Sequence, residues 1–218
     1  MSHPDIFPTL TGKHNLSLHV LTDRNWSRGR SMLEVAAAAI AGGATVIQLR
    51  DKQASTRILI NEGMALRELT AQHGVLLIVN DRIDVALAIN ADGVHVGQDD
   101  MPGELARTLL GPDRILGITA GTMEEAVAGI SAGADYLGIS PIYPTRTKDD
   151  AGEPVGLSLL TDISRRYSTP LVAIGGITAD NATEVLRAGA TGVAVITAVV
   201  AAEDITAATR QLAIRLHL

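Results

Sequence analysis

The sequence predicts an α/β protein with a (β/α)8 TIM-barrel fold, built as a single domain. Eight segments each contain a short run of branched apolar residues: 16–23, 40–50, 75–81, 89–98, 114–119, 131–140, 170–176 and 187–197. Such runs, without polar alternation, are typical of strands buried on both faces of a parallel sheet. Helical patterns fill the intervals, at 31–42, 55–73, 83–90, 103–110, 122–132, 157–167, 179–188 and 203–216. Eight strands that each precede a helix favour a closed barrel.

Four of these segments also resemble one another, which indicates a repeated structural unit. Each begins at the end of an Ala-rich helix and passes through a small turn with Gly or Asn into a strand: 40–50, 89–98, 131–140 and 187–197. No linker or low-complexity tract interrupts the pattern, so we expect one domain over 1–218, with 1–14 as an N-terminal extension. The alternative is an open doubly wound sheet, but no Gly-x-Gly-x-x-Gly follows the first strand.

Composition excludes several classes of function. The 218 residues carry a formal net charge of −6 and only 2% aromatic residues, which argues against a nucleic-acid partner. There is no Cys, so thiolate zinc sites and Cys nucleophiles are excluded. The N-terminus has no signal-peptide core, and the longest uncharged runs are too short to span a bilayer. We expect a cytoplasmic protein without a membrane partner, and the sequence leaves its oligomeric state open.

Two aspartates follow neighbouring strands at the predicted active face of the barrel. Asp81 follows the third strand and Asp100 the fourth. Because adjacent strands lie about 5 Å apart, both carboxylates could reach one ion. Oxygen ligands without Cys suit Mg²⁺, which shares its shell with water and substrate phosphates. The alternative interpretation is that these residues cap the two helices that follow.

Cationic side chains are expected to face this metal site. Arg50 and Lys52 end the second strand, and Lys148 lies in the long loop after the sixth. Gln48 and Arg50 share a strand face, so both are expected to point into the barrel mouth, where a buried Gln and Arg need a ligand. Donors of this kind bind phosphate. Alone, the tripeptide at 50–52 would read as a solvated charged loop.

A second phosphate site is expected where strands seven and eight end. Gly175 and Gly176 follow the seventh strand, and Ile196 and Thr197 the eighth, which is where barrels commonly bind a phosphate through backbone N–H groups. The loop 140–156 offers the hydroxyls of two more residues, Thr145 and Thr147. A tight turn and a rigid Pro-rich spacer are the plainer readings of these two segments.

The histidines add little to this picture. His95 lies between two valines in strand four, and we expect it to be a hydrogen-bonded core residue. His19 could face the barrel interior, and no role follows from its position. The residues thus indicate a Mg²⁺ site, two phosphate zones and no nucleophile. This set favours ionisation of a diphosphate, with a second, smaller phosphorylated substrate.

Several motifs together resemble the thiamin phosphate synthase family. They are QLRDK at 48–52, VNDRIDVALAINADGVHVGQDD at 79–100, PIYPTRTK at 141–148, AIGGIT with Asn181, and GVAVIT at 192–197. They occur in the family's order and cover nearly the whole chain. The resemblance implies coupling of 4-amino-2-methyl-5-hydroxymethylpyrimidine diphosphate with 4-methyl-5-(2-phosphooxyethyl)thiazole, which gives thiamin phosphate and pyrophosphate.

The resemblance also implies roles for individual residues. Asp81 and Asp100 would hold Mg²⁺. The pyrimidine diphosphate would be bound by Gln48, Arg50, Lys52, Asn80, Thr119 and Lys148. The thiazole phosphate would be bound by Thr145, Thr147, Gly176, Ile196 and Thr197. Arg50, Lys52, Lys148 and Thr119 would take part in catalysis, which we expect to be a dissociative substitution.

Four positions depart from the family's usual pattern. Thr119 and Thr197 stand where Ser is usual, Ser140 where Gly is usual, and Gly121 where His is common. Related thiazole tautomerases are expected to use that His, so its absence disfavours this alternative. Two further alternatives are a barrel that binds a phosphorylated ligand without catalysis and a sugar-phosphate isomerase or epimerase.

Overall fold

A computed structural model describes residues 14–145, 147 and 152–218. Its strands are β1 (Leu18–Leu21), β2 (Val46–Leu49), β3 (Leu76–Asn80), β4 (Gly93–Val96), β5 (Ile115–Ala120), β6 (Tyr136–Ile139), β7 (Leu171–Ile174) and β8 (Gly192–Val195). Its helices are α1 (Met32–Gly42), α2 (Thr56–His73), α3 (Ile83–Ala88), α4 (Gly103–Leu110), α5 (Met123–Ser131), α6 (Gly156–Arg166), α7 (Ala182–Arg187), α8 (Thr197–Val200) and α9 (Ile205–Arg215).

The eight strands form one closed parallel barrel in chain order. Each strand pairs in parallel with the next, and β8 pairs with β1, with Leu18 opposite Val193. This confirms the predicted (β/α)8 fold and excludes the open doubly wound sheet. Closure brings all the carboxyl ends of the strands to one mouth, so side chains far apart in sequence meet there.

Local signals in the sequence set the ends of several helices. At α1 the Ser31 hydroxyl accepts from the Glu34 N–H, and the Glu34 carboxylate accepts from the Ser31 N–H, which is a complete capping box. The same helix ends at Gly43, whose φ of 106° is readily adopted by glycine. The boundaries of α1 therefore follow from residues that were visible in the sequence.

Two elements differ from the predicted helix pattern. Helix α7 begins at Ala182 rather than at 179, because the Asn181 side chain accepts from the Thr178 N–H at 2.9 Å and closes a turn first. Helix α8 was not predicted, since its four residues are β-branched or alanine and continue an apolar run. It matters because it begins directly after β8, at the expected phosphate site.

Buried apolar residues form two clusters separated by the barrel wall. The larger cluster lies between the strands and the surrounding helices. The smaller one fills the barrel interior and includes Leu21, Val46, Ile78, Tyr136 and Val172. The interior is thus a packed core, and polar side chains are concentrated toward its mouth. Within the described residues, no helix is long and apolar enough to cross a bilayer.

Candidate active site

One pocket at the mouth of the barrel collects polar residues from several strands. Gln48, Asn80 and Thr119 line it, together with His95 and Tyr136. Gln48 lies near the end of β2, Asn80 ends β3 and Thr119 is the penultimate residue of β5. The fold therefore brings these three predicted substrate-binding residues together, and we call this space the inner pocket.

The inner pocket contains a polar atom without a protein partner. Gln48 is only 3% exposed, and its Oε1 has no hydrogen-bond partner among the described residues. An unsatisfied buried carbonyl oxygen costs about 1 to 3 kcal/mol. A ligand N–H that donates to Gln48 Oε1 would recover that cost.

A second pocket collects all five residues predicted to bind the smaller phosphate. Its lining includes Thr145, Thr147, Gly176, Ile196 and Thr197. The hydroxyls of the two loop threonines lie 2.9 Å apart, and Thr145 Oγ1 also accepts from the Thr147 N–H at 3.3 Å. We call this space the outer pocket.

The two pockets are neighbours with a common wall. Ile174 at the end of β7 and Ala194 in β8 line both of them. These two residues are also paired across the sheet. The apolar side chains of Ile174 and Ala194 therefore form the boundary that the two pockets share.

Glycines after β7 allow the loop from β6 to pack against the outer pocket. Gly176 has a φ of 64°, and a Cβ there would lie 2.7 Å from the Tyr143 Cβ and 2.8 Å from the Pro144 oxygen. Asn181 Nδ2 donates to the Gly176 oxygen at 3.0 Å and fixes the turn from its other side. A side chain at Gly176 would displace the loop that carries Thr145.

Arg50 has a partner within the protein that was not predicted. Its guanidinium forms an ion pair with Asp23, and both side chains are nearly inaccessible, at 6% and 7%. The Thr22 hydroxyl accepts from the Arg50 N–H at 3.0 Å, so the end of β1 holds both the backbone and the side chain. Asp23 therefore compensates the charge of the buried Arg50, and the binding of a ligand by Arg50 stays a prediction. Its Nε still has no partner among the described residues.

Of the two lysines predicted to bind the diphosphate, the structure describes one. Lys52 is exposed and lies two residues after the ion-paired Arg50. The residue between them is Asp51, whose carboxylate pairs with Arg24 at 2.8 Å. Lys148 lies outside the described residues. The position of Lys52 leaves its ammonium accessible to a ligand at the barrel mouth.

The two predicted metal-binding aspartates do not cap helices. The residue before α3 is Arg82 and the residue before α4 is Pro102, and neither helix has a side-chain cap. The Asp100 Oδ2 accepts instead from the Gly97 N–H at 2.7 Å, and Asp81 follows β3 with a φ of 63°. The capping alternative is therefore wrong. Among the described residues, no three His, Asp or Glu side chains gather as a metal cluster.

His95 is satisfied as predicted, but by residues that sequence reasoning did not connect. Its Nδ1 lies 3.0 Å from the Tyr136 hydroxyl and its Nε2 lies 2.9 Å from the Thr119 hydroxyl. In the sequence, Tyr136 belongs to the apolar run that predicts strand six. Its hydroxyl, in a strand that is otherwise aliphatic or glycine, was the available signal.

His19 does face the barrel interior, where its ring is completely buried. Burial lowers the pKa of His19 to about 3, and this effect outweighs the opposing effect of the Leu16 backbone. Neither ring nitrogen has a hydrogen bond to a described residue. The ring packs edge-on against Tyr136, with centroids 5.4 Å apart. His19 is therefore a neutral ring in the core.

Comparison with known proteins identifies the family to which this site belongs. The family model described as "Thiamine monophosphate synthase" matches residues 18–199, which extend from β1 into α8. The chain belongs to the thiamine monophosphate synthase family. That match covers every strand of the barrel and both pockets, so it agrees with the resemblance of the strand-end motifs.

Curated relatives and a solved structure support membership of the thiamine monophosphate synthase family. The chain is 58% identical over 195 residues to thiamine-phosphate synthase of Chloroflexus aurantiacus, covering 89% of this chain and 90% of the relative. It is 54% identical to the Methanocella arvoryzae thiamine-phosphate synthase, covering 89% and 92%. The structure of thiamine phosphate pyrophosphorylase from Pyrococcus furiosus superposes with a TM-score of 0.87 and 44% identity, covering 94% and 96%. The chain is an enzyme of thiamine biosynthesis with thiamine-phosphate synthase activity.

Proposed function

We propose that the barrel performs this synthesis by binding the pyrimidine diphosphate in the inner pocket and the thiazole phosphate in the outer one. The observation that carries the proposal is the common wall of the two pockets, formed by Ile174 and Ala194. A coupling enzyme must hold two substrates side by side with their reacting atoms in contact. Adjacent pockets at one barrel mouth supply that arrangement.

The inner pocket suits an aminopyrimidine ring. Gln48 Oε1, buried and without a partner among the described residues, would accept from the exocyclic amino group. Asn80 offers an amide from the end of the neighbouring strand, with both a donor and an acceptor. Apolar residues such as Leu21 and Val172 line the remainder. The free space there is only about 20 Å³, room for about one water, so the ring itself would lie at the mouth of the inner pocket.

Charged side chains beside this pocket suit the diphosphate. Arg50 has an unpaired Nε among the described contacts, and Lys52 is exposed. Lys148, outside the described residues, is assigned to the same role from the motif that it ends. Positive groups placed where charge develops on a leaving group contribute about 3 kcal/mol each to the lowering of a barrier.

Asp81 and Asp100 fit Mg²⁺. The ion commonly binds to one or two carboxylates and keeps water and substrate oxygens as its other ligands. The two carboxylates of Asp81 and Asp100 match this usual coordination of Mg²⁺. The Gly97 N–H donates a hydrogen bond to Asp100 Oδ2. This bond orients the carboxylate and leaves Oδ1 for the metal. When bound there, Mg²⁺ would supply positive charge to the diphosphate oxygens.

The reaction needs no covalent nucleophile, and the residues proposed for the site include none. The aminopyrimidine ring donates electrons as the C–O bond to pyrophosphate breaks. Arg50, Lys52 and Lys148 stabilise the negative charge that develops on the leaving group. The thiazole nitrogen then attacks the pyrimidine methylene carbon at the barrel mouth, where the two pockets adjoin, and this forms the new C–N bond.

The outer pocket holds the thiazole phosphate during that attack. The Thr145 and Thr147 hydroxyls and the backbone of Gly176 surround one side. Ile196 precedes α8 and Thr197 begins it, and the N–H groups at this helix start lack intrahelical acceptors and can donate to a phosphate oxygen. The phosphate is thus used for orientation, and it remains in the product.

A coupling assay tests the proposal. The protein is mixed with both substrates and Mg²⁺, and pyrophosphate and thiamin phosphate are measured together. We expect equal amounts of both products, and no product after chelation of the metal. Saturable binding of both substrates without either product would overturn the proposal and support a non-catalytic binding barrel.

A matched pair of aspartates tests the metal assignment. Asp100→Asn should lower kcat about a hundredfold and raise the Mg²⁺ concentration needed for half-maximal rate. Asp99→Asn removes the same charge from the adjacent exposed residue and should leave both values near those of the unsubstituted protein. Equal losses in the two variants would count against Asp100 as a specific ligand.

The tautomerase alternative requires an acid or base at position 121, where this chain has Gly121. The Gly121 N–H donates to Glu125 Oε2 at 2.6 Å, and Gly121 has no side chain to act as acid or base. Isomerisation of a thiazole substrate without the pyrimidine diphosphate would revive that alternative.

A further inference from the structure

A chain of three side chains leads from the barrel interior to the proposed substrate. Tyr136 lies within β6, His95 within β4 and Thr119 within β5. Two hydrogen bonds join them through the imidazole, at 3.0 Å from Nδ1 to the phenol and 2.9 Å from Nε2 to the threonine hydroxyl. Thr119 lines the inner pocket, so the chain ends at the proposed pyrimidine site.

Two glycines make the space that holds the rings in this arrangement. A Cβ at Gly117 would lie 2.2 Å from Tyr136 Cζ and 2.5 Å from His95 Nδ1. A Cβ at Gly138 would lie 2.7 Å from His95 Cε1. The two rings stack with centroids 5.4 Å apart, at an interplanar angle of 25°. The imidazole is therefore confined by its neighbours as well as by its hydrogen bonds.

The buried phenol determines which imidazole nitrogen carries the hydrogen. Tyr136 is 1% exposed, and burial raises the pKa of its phenol, which stays protonated. Within the described residues, the hydroxyl is hydrogen-bonded to His95 Nδ1. If Nδ1 carried a hydrogen, the phenolic hydrogen would have no acceptor there, and a buried unsatisfied donor is costly. Nδ1 must then accept from Tyr136.

The direction of the hydrogen bond between His95 and Thr119 follows from the first one. A neutral imidazole with a bare Nδ1 carries its hydrogen on Nε2. Nε2 then donates to Thr119 Oγ1, which uses that oxygen as an acceptor. The hydroxyl hydrogen of Thr119 is then not used in this bond and is available to an acceptor in the inner pocket, which Thr119 lines. Because Thr119 is β-branched, its χ1 is also restricted.

We propose that His95 and Tyr136 are positioning residues that make the Thr119 hydroxyl a hydrogen-bond donor to an acceptor atom of the pyrimidine diphosphate. The identity of this substrate rests on the function proposed above, whereas the direction of the two hydrogen bonds does not. The relay moves no proton during the reaction. It sets the orientation of one hydroxyl before the substrate arrives.

The first test is the tautomer of His95 in the ligand-free protein. Nitrogen-15 NMR of imidazole rings distinguishes a hydrogen on Nε2 from one on Nδ1, and a His95→Gln variant assigns the signal among the six histidines. We expect the Nε2–H form. Observation of the Nδ1–H form would overturn the proposal, whether or not the protein couples its substrates.

The second test is a double-substitution cycle on the rate of coupling. Tyr136→Phe removes the donor to Nδ1 and should lower kcat roughly tenfold, about the value of one hydrogen bond. In a Thr119→Val background, the same substitution should have no further effect, because the hydroxyl that it orients is absent. Tyr167→Phe, an equal chemical change at the end of α6, is the control and should leave kcat unchanged.

The outcomes of these tests can be separated. An equal loss from Tyr136→Phe with and without the Thr119 hydroxyl would show a merely structural role and overturn the proposal. If Tyr136→Phe does not fold, the tautomer measurement on the unsubstituted protein still decides. A correct tautomer in a protein that makes no thiamin phosphate would refute the proposed function alone.

Discussion

At the scale of the residue, the Asp23–Arg50 ion pair connects the end of β1 to the charged segment 50–52 that follows β2. Both side chains are almost inaccessible, and Thr22 holds the Arg50 backbone from the same strand end. Breaking a buried pair by removing one partner is costly because the other charge is left without compensation. Asp23 thus fixes where the Arg50 guanidinium lies relative to the proposed diphosphate.

We predict that Asp23→Asn lowers kcat for coupling by about ten- to a hundredfold, because Arg50 loses its fixed orientation. The free energy of unfolding should fall by about 3 kcal/mol. Steady-state kinetics and urea denaturation measure the two effects. Arg24→Gln, which breaks the ion pairs to Asp51 and Glu62 from a half-exposed arginine, should cost less, about 1 to 2 kcal/mol. A normal kcat in Asp23→Asn would show that Arg50 needs no anchor.

His19 gives a prediction for stability against pH. Its folded pKa of about 3 lies below the ordinary value of 6.5, so the unfolded chain binds the extra proton between these values. Stability from this group is fully present above pH 6.5 and falls as the pH is lowered toward 3. Linkage gives a loss of about 2 kcal/mol between pH 7 and pH 5.

Chemical denaturation at the two pH values tests that loss, with His19→Phe as the comparison. The variant should lack the His19 contribution, so its stability should fall by about 2 kcal/mol less over this interval. Between pH 7 and pH 9 the two proteins should keep a constant difference, since the histidine is neutral in both states. Identical slopes below pH 7 would contradict the buried, neutral ring.

At the scale of the element, the outer pocket depends on two loops that pack closely. Gly176 after β7 lies against Tyr143 and Pro144, which belong to the loop after β6. That second loop carries Thr145 and Thr147. The position of the two hydroxyls therefore depends on Gly176, which follows Thr145 by 31 residues and Thr147 by 29.

We predict that Gly176→Ala raises the KM for the thiazole phosphate about tenfold or more, with a smaller change in the KM for the pyrimidine diphosphate. Gly74→Ala is a matched control, because Gly74 has a φ of 65° but no atom within 4 Å of a built Cβ. Both variants carry the same backbone strain of about 1 kcal/mol, so a KM effect in Gly176→Ala alone reports the loop contact. Equal KM values in both variants would contradict this account of the loop.

The parts of the site that sequence could predict are those set by position in the repeat. Gln48, Asn80 and Thr119 meet because each lies near the end of a strand, and the fold places such residues at one mouth. Asp23 and Tyr136 could not be assigned in the same way, since their roles come from pairing with residues 27 and 41 positions away. The helix α8 was missed because a single turn of β-branched residues carries no helical period.

At the scale of the whole molecule, the first and last long helices pack closely beside the junction between β1 and β8. Gly42 of α1 allows this, because a Cβ there would lie 2.5 Å from Thr209 Cβ and 2.6 Å from the Thr206 oxygen of α9. The backbone oxygen cannot move without shifting the helix. None of the residues proposed for the active site takes part in this contact.

We predict that Gly42→Ala lowers the free energy of unfolding by about 1 to 3 kcal/mol through overpacking. This outweighs the gain in helix propensity, which is about 1 kcal/mol in a helix interior and smaller at Gly42, the last residue of α1. Below the melting temperature kcat should be unchanged. Ala37→Ser, on the exposed side of α1, serves as the control and should shift stability by less than about 0.5 kcal/mol. A stabilised Gly42→Ala variant would mean that α9 can move away freely.

The common wall between the inner and outer pockets also has a consequence for product release. In the proposed arrangement, the two substrates each bind to one pocket before the reaction, and each can dissociate alone. Afterwards one covalently joined molecule occupies both, so that release of one end leaves it tethered by the other, at a high effective concentration. Thiamin phosphate should therefore inhibit competitively against either substrate, and its departure should limit turnover when product accumulates.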